Sequence, residues 1–173
     1  YAMWGVFCPT RLCGEFYFLV WDSNKRQALA ARDHAGSKPF FYAQTANGLV
    51  FASTISKLIS LLGFKPSLDE LEVAKWISNY RPTPWNRTLF REIHRLAPGH
   101  CLVADSDGLK VSCYWEPRRG SRYSCLDPDE AAEHLRDLIN QAVDERVEQH
   151  QSITAHLSGG LDSSMLAVLA DRS

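Results

Sequence analysis

The chain has 173 residues, 45% hydrophobic and 23% charged, and its 19 Lys and Arg against 20 Asp and Glu leave a formal net charge of -1 with six His neutral. That balance gives no electrostatic reason to expect a nucleic acid or an anionic membrane as partner. No apolar run reaches the ~20 residues a membrane span requires and no signal peptide opens the sequence, so a cytoplasmic location is expected.

Tyr1-Ala-Met-Trp4 lacks an initiator methionine and reads as the middle of a helix, while Asp171-Arg172-Ser173 stops soon after a helix begins. An excerpt is expected, of a size for one domain or pieces of two. Phe16 to Trp21 is aromatic and β-branched and predicts a strand that closes in the turn Asp22-Ser23-Asn24. Gln27 to Ala31, Lys38 to Ala43 and, after Asn47-Gly48, Leu49 to Ala52 follow at spacings that predict an antiparallel meander. Ser53-Thr54 caps a short helix that runs to about Leu62 and ends at Gly63. The next helix starts at Leu68-Asp69-Glu70, with Leu71, Val73, Ala74, Trp76 and Ile77 as its apolar side. It stops before Arg81-Pro82-Thr83-Pro84, because proline disfavours helix in the residue before it. Strands at His100 to Ala104 and Leu109 to Trp115 are joined by the turn Asp105-Ser106-Asp107-Gly108.

Glu116 to Cys125 shows no periodicity, and a linker at 117–126 divides the chain into 1–116 and 127–173; Arg118, Arg119 and Arg122 read there as a solvated basic loop. Asp127 then caps a helix with Pro128 in its first position and Glu130 three after the cap, and Ala131, Leu135, Leu138, Ile139, Ala142 and Val143 recur at helical spacing to about Glu148. Ser152 to Leu157 has the length of a buried strand. With the loop SGGLDSS and a helix from Met165 to Ala170 it makes a strand, loop, helix unit, the opening of an α/β layer.

Cys8, Cys13, Cys101, Cys113 and Cys125 form no CxxC pair and no metal-ligand spacing, and read as reduced thiols that mostly pack as small apolar groups. His34 beside Asp33 and His94 beside Arg95 lack a visible catalytic partner, Arg32-Asp33 reads as a structural strand-end pair, and Trp21, Trp76, Trp85 and Trp115 as core or interface aromatics.

The chemistry concentrates in Leu157, Ser158, Gly159, Gly160, Leu161, Asp162, Ser163 and Ser164. Glycines at the mouth of a helix let backbone approach a ligand, free amides point at it, and the helix dipole favours negative charge. Serine hydroxyls add donors, so the stretch is suited to phosphate. No lysine follows the glycines as a P-loop requires, the dinucleotide pattern GxGxxG is absent, and Leu157 rather than glycine precedes Ser158, which excludes the hydrolase elbow.

SGGLDSS resembles the SGGxDS pattern of the PP-loop ATP pyrophosphatases. GEFYFLVWD (14–22), ARDHAGSKPFFY (31–42), LVFAS (49–53), RTLFREIHRLAPGH (87–100) and YW (114–115), in this order before it, are similar to the asparagine synthetase family. That resemblance implies an α+β N-terminal-nucleophile-type antiparallel sheet domain, part of a glutamine amidotransferase, followed by the start of an α/β PP-loop synthetase domain. It implies ATP binding by residues 157–164, with Asp162 as a ligand for Mg²⁺, and a ligase that adenylates aspartate and transfers glutamine-derived ammonia to give asparagine, AMP and pyrophosphate. A homodimer is compatible with it. The family's cysteine nucleophile, arginine, Asn-Gly pair and aspartate of glutamine hydrolysis have no counterparts here, so no catalytic residue is assigned and the stretch alone is expected to be inactive.

The family's usual FASE reads FAST here, with Thr54 in place of the acid. Relatives of the lasso-peptide-cyclase type share the two-domain layout, activate a carboxylate of a precursor peptide and hydrolyse no glutamine. Both acceptors, and a non-catalytic nucleotide-binding remnant, remain open at the level of sequence.

Overall fold

The computed structural model describes residues 1–80, 86–118, 120, 123, 125–148 and 152–172. It divides into two compact units, Tyr1–Pro117 and Arg118–Ser173. In the first, a 3-10 helix (Gly5–Arg11) precedes strands β1 (Tyr17–Asp22), β2 (Gln27–Arg32), β3 (Phe41–Thr45) and β4 (Gly48–Ala52). Helices α1 (Ile55–Leu61) and α2 (Glu70–Ile77) follow, and then β5 (Ile93–Arg95), β6 (His100–Asp105) and β7 (Gly108–Cys113). The strands form two antiparallel sheets, ordered β1-β2-β6-β7 and β4-β3-β5. This is the α+β class implied for the first part of the chain.

The expected meander gives way to two sheets. β1-β2, β3-β4 and β6-β7 are hairpins, but the far edge of β2 pairs with β6, Ala28 opposite Ala104, and not with β3. Pro39 lies inside the segment expected as the third strand and has no N–H for a ladder, so β3 begins at Phe41. The three-residue β5, which pairs with β3, is too short to leave a pattern in the sequence. The 3-10 helix also went unpredicted; it replaces the helix read into Tyr1 to Trp4, and it accommodates Pro9.

Alternation along the strands decides what each face packs against. Ala28, Ala30 and Leu102 of the first sheet meet Phe40, Tyr42 and Leu96 of the second. On the far side of the second sheet, Leu58 and Leu62 from α1 cover Phe41, Ala43 and Ile93, and on the outer face of the first Cys8 joins Leu29, Ala31 and Cys101. Leu29, Leu58, Ile93, Leu96 and Leu102 are fully buried, each worth about 1.5–3 kcal/mol of apolar transfer.

A polar knot holds the turn after β2. Buried Arg32 donates from Nε to the Lys38 carbonyl at 2.7 Å, from Nη1 to Leu96 at 2.8 Å and from Nη2 to Gly36. Buried Asp33 accepts from Ala35 N at 3.0 Å and from the amide and hydroxyl of Ser37, both at 3.1 Å. The Tyr114 hydroxyl donates to the Arg32 carbonyl at 2.6 Å. Arg32 and Asp33 thus serve structure, as read from the sequence. The strand expected to reach Trp115 stops at Cys113, because the amides of Tyr114 and Trp115 turn to the Gly99 carbonyl at 2.9 and 3.1 Å.

α2 reverses the amphipathic expectation. Its Asp69 cap and Glu72 are buried, gathered by Arg87 and Lys75, while Leu71, Trp76 and Ile77 are exposed. The ion pairs choose which face turns inward, and charge outweighs hydrophobic periodicity there. Trp21, Trp76 and Trp115 are 62%, 61% and 43% exposed, so of the two roles expected for them they do not fill that of core, and Trp85 lies outside the described residues with the stop signal Arg81-Pro82-Thr83-Pro84. All five cysteines are free thiols, and the expectation that most pack as apolar groups fails: only Cys8 and Cys101 are buried.

In the second unit α3 (Pro128–Val147) and α4 (Leu161–Arg172) pack on one another. α3 starts in a capping box, Asp127 accepting the Glu130 amide and Glu130 reaching back to the Asp127 amide. Of the linker's arginines, Arg119 and Arg122 lie outside the described residues. The segment 152–157 is exposed and irregular, not the buried strand expected, because no described strand lies beside it to pair with. Helix α4 begins at Leu161, a turn earlier than expected.

Two outcomes test this architecture. Gly99 has φ +65°, and an added Cβ would sit 2.2 Å from the Trp115 carbonyl oxygen; Gly99→Ala should therefore cost about 2 kcal/mol or more in urea unfolding. Burial alone would raise the Asp33 carboxyl, but the donors of Ser37, Gly36 and Ala35 outweigh it and hold it below its ordinary value. A carboxyl lowered by folding stabilises the fold above the ordinary value of about 3.9 and loses that contribution as pH falls through the folded value. Asp33→Asn should accordingly be less stable at neutral pH and lose less stability on acidification than the wild type.

Candidate functional site

The segment from Leu157 to Ser164 lies wholly in the second unit and bridges the irregular stretch and α4. Ser158, Gly159 and Gly160 form the loop, and Leu161, Asp162, Ser163 and Ser164 form the first turn of the helix. The loop is shorter than SGGLDSS suggests. Gly159 adopts φ +80°, a left-handed conformation open to glycine and costly for other residues.

Ser163 is the hub. Its hydroxyl donates to the Gly160 carbonyl at 3.2 Å and accepts from the Ser158 amide at 3.3 Å and the Ser158 hydroxyl at 3.0 Å. The Gly160 amide donates to the Ser158 hydroxyl at 3.4 Å, and the Ser164 amide opens the helical ladder on the Gly160 carbonyl at 3.2 Å. Among the described residues, the amides of Gly159, Leu161, Asp162 and Ser163 have no acceptor. A helix leaves its first amides unpaired and partly positive, which is where an anion is stabilised.

These residues fit a nucleotide triphosphate and its metal. A Cβ on Gly160 would meet only Ser158 Oγ, at 3.5 Å, so the protein itself leaves space at that glycine. The Asp162 carboxylate is exposed and has no ion-pair partner among the described residues, and no group of three or more His, Cys, Asp or Glu gathers to make a metal cage there. A single carboxylate beside phosphate oxygens is a usual setting for Mg²⁺, which keeps several waters. Leu161 is 90% exposed and Leu157 61%, so both apolar neighbours of the loop are uncovered.

The two histidines do not join any catalytic group. His34 sits among the rings of Phe16, Tyr114 and Trp115, with centroids 6.3, 5.7 and 4.9 Å away. His94 lies 5.4 Å from the Tyr42 ring, and its pKa is lowered by burial first and then by Arg87. Sequence reasoning treated the three serines as equal donors and missed the central place of Ser163. Its position one helical turn after Ser158-Gly159-Gly160 is the signal that could have found it.

Residues 1–115 of the 173 match a family model described as a glutamine amidotransferase domain, and residues 134–173 match one described as asparagine synthase. The chain is 31% identical over 171 residues to asparagine synthetase [glutamine-hydrolyzing] 3 of Bacillus subtilis, covering 98% of this chain and 27% of that protein. It is 29% identical over 174 residues to an amidase of Gibberella zeae, covering 96% and 25% respectively. The chain thus spans about a quarter of the length of these curated relatives. Among solved structures, a glutamine phosphoribosylpyrophosphate amidotransferase from B. subtilis matches with a TM-score of 0.41 and 12% identity, over 94% of this chain and 32% of that one. That last similarity is too low to bear on function.

Gly160→Ala separates the two roles of the loop. With nothing closer than 3.5 Å to the added carbon, thermal unfolding should place the variant within about 0.5 kcal/mol of the wild type. Gly159→Ala, strained at its positive φ, should lose about 1 kcal/mol.

Proposed function

The chain belongs to the glutamine amidotransferase family, and from that premise we propose that the protein is an ATP-dependent amide ligase of the asparagine synthetase type. The observation that carries the reading is the set of unpaired amides at the start of α4, within a segment that matches asparagine synthase. In the proposed reaction a carboxylate oxygen of aspartate attacks the α-phosphorus of ATP, and the bond between the α-phosphorus and its bridging oxygen breaks. Pyrophosphate leaves with the bonding electrons. Ammonia then attacks the acyl carbon, AMP departs with the bridging oxygen, and a proton is lost as the amide forms.

The chain's own groups act on the charge that this displacement moves. The amides of Gly159, Leu161, Asp162 and Ser163 would donate to phosphate oxygens, and they are already oriented, so little reorganisation is needed as the pyrophosphate accumulates charge. The Ser158 hydroxyl would exchange its bond to Ser163 for one to a phosphate oxygen, and the Ser163 hydroxyl would donate there only by leaving the Gly160 carbonyl. Asp162 would hold Mg²⁺, which supplies neutralisation of the phosphate charge when bound. Glutamine as the ammonia source follows the family of residues 1–115.

Thr54, the departure from the usual acid, gives no support to a peptide acceptor. Its side chain caps α1, accepting the Lys57 amide at 3.3 Å, and that is a structural task independent of substrate. Aspartate is the acceptor we assign, on the similarity of the chain to asparagine synthetases.

In the full-length protein, aspartate should drive exchange of labelled pyrophosphate into ATP. Asp162→Ala should lower the exchange rate by about a hundredfold, and Gly160→Ala should raise the KM for ATP although it leaves the fold intact. No exchange with aspartate, in a protein that still hydrolyses glutamine, would overturn the assignment.

A further inference from the structure

Between the start of α2 and β5, within the first unit, lies a cleft of about 480 Å³. Phe90 and Ile93 give it apolar lining, while Arg87, Arg91 and His94 are its basic residues and Asp69 its acidic one. Most of these groups are already engaged. The Asp69 carboxylate accepts the Glu72 amide at 3.4 Å and the Arg87 Nη2 hydrogen, and Arg87 Nε reaches the buried Glu72 at 3.5 Å. The hydroxyl of Thr88 bonds to the backbone of Phe90 and Ile93.

Two groups are left over. Arg91 donates from Nε to the Leu68 carbonyl at 3.1 Å and helps hold the neighbouring Glu92 carboxyl below its ordinary value, but among the described residues no carboxylate lies at ion-pair distance from it and its two Nη groups make no hydrogen bond. His94, half-buried against Tyr42, has no hydrogen-bond partner for either ring nitrogen among the described residues. Because burial and Arg87 hold its pKa below the ordinary value, the ring is neutral near pH 7 and offers one donor and one acceptor.

We propose that this cleft binds a small monocarboxylate, its carboxylate on the fork of Arg91 beside His94 and its apolar body against the half-buried ring of Phe90. The volume falls in the range of about 300–1,000 Å³ typical of small-molecule sites. A guanidinium fork matches a carboxylate in two parallel bonds. Arg87 is already paired with Asp69 and Glu72, which leaves Arg91 as the cleft's basic group for an anion, and the ring of Phe90 favours an anion with an apolar body over inorganic phosphate. The site belongs to the first unit and does not depend on the ligase reading above.

Benzoate is a suitable probe, since it has one carboxylate and an apolar ring. Titrated into the full-length protein by calorimetry, with the arginine Nε–H and histidine ring signals followed by NMR, it should bind saturably in the millimolar range and shift Arg91 and His94. Arg91→Ala, at an exposed side chain whose loss leaves the fold intact, should weaken binding at least about tenfold. Arg91→Lys should recover part of it by keeping the charge without the fork, and Lys57→Ala should change nothing. Absence of saturable binding, or binding indifferent to Arg91→Ala, overturns the proposal. Phosphate binding as tightly as benzoate with the same dependence on Arg91 overturns its carboxylate specificity.

Discussion

A helix cannot satisfy the amides of its own first turn, and at the start of α4 no described residue relieves that deficit. The usual remedy is a side-chain cap. Here the serine that could serve, Ser158, instead turns its hydroxyl toward Ser163, and takes the Gly160 amide rather than those within the helix. The loop is ordered by its own hydroxyls while the helical amides of Leu161, Asp162 and Ser163 stay open. A loop held by its own hydroxyls, with these donors left without an acceptor among the described residues, is the arrangement from which the proposed electrostatic role follows.

The first unit solves a different problem. Its sheets are tied at one corner by Arg32, whose guanidinium reaches carbonyls on the turn after β2 and on Leu96, next to β5. A buried guanidinium facing carbonyls rather than carboxylates costs desolvation that only several well-placed acceptors offset. The same logic explains α2, where Arg87 draws Asp69 and Glu72 inward at the expense of a hydrophobic face. In both places polar geometry, not apolar area, chooses the orientation of an element.

This is also where the sequence was least legible. Hairpins, the capping box at Asp127 and the presence of a helix after SGG follow from local rules, since each depends on residues a few positions apart. The pairing of β2 with β6 and the inward turn of Glu72 depend on residues distant in sequence, Ala104 and Arg87, which no periodicity reports. The strand expected at Ser152 to Leu157 illustrates the complementary error. Its composition suits a buried strand, but a strand exists only beside another, and the second unit holds only helices α3 and α4 as regular elements among its described residues. At the segment from Leu157 to Ser164 the difference is one of frame: the helix begins at Leu161, earlier than periodicity indicated.

The central chemical step can be followed by an isotope. Aspartate carrying oxygen-18 in its side-chain carboxylate, given to the full-length protein with ATP and ammonia, should yield AMP with one labelled oxygen, because the attacking oxygen leaves bound to the α-phosphorus. Unlabelled AMP, or label in orthophosphate instead, would mean that the carboxylate is not activated at the α-phosphorus and would contradict the nucleotide role assigned to the start of α4.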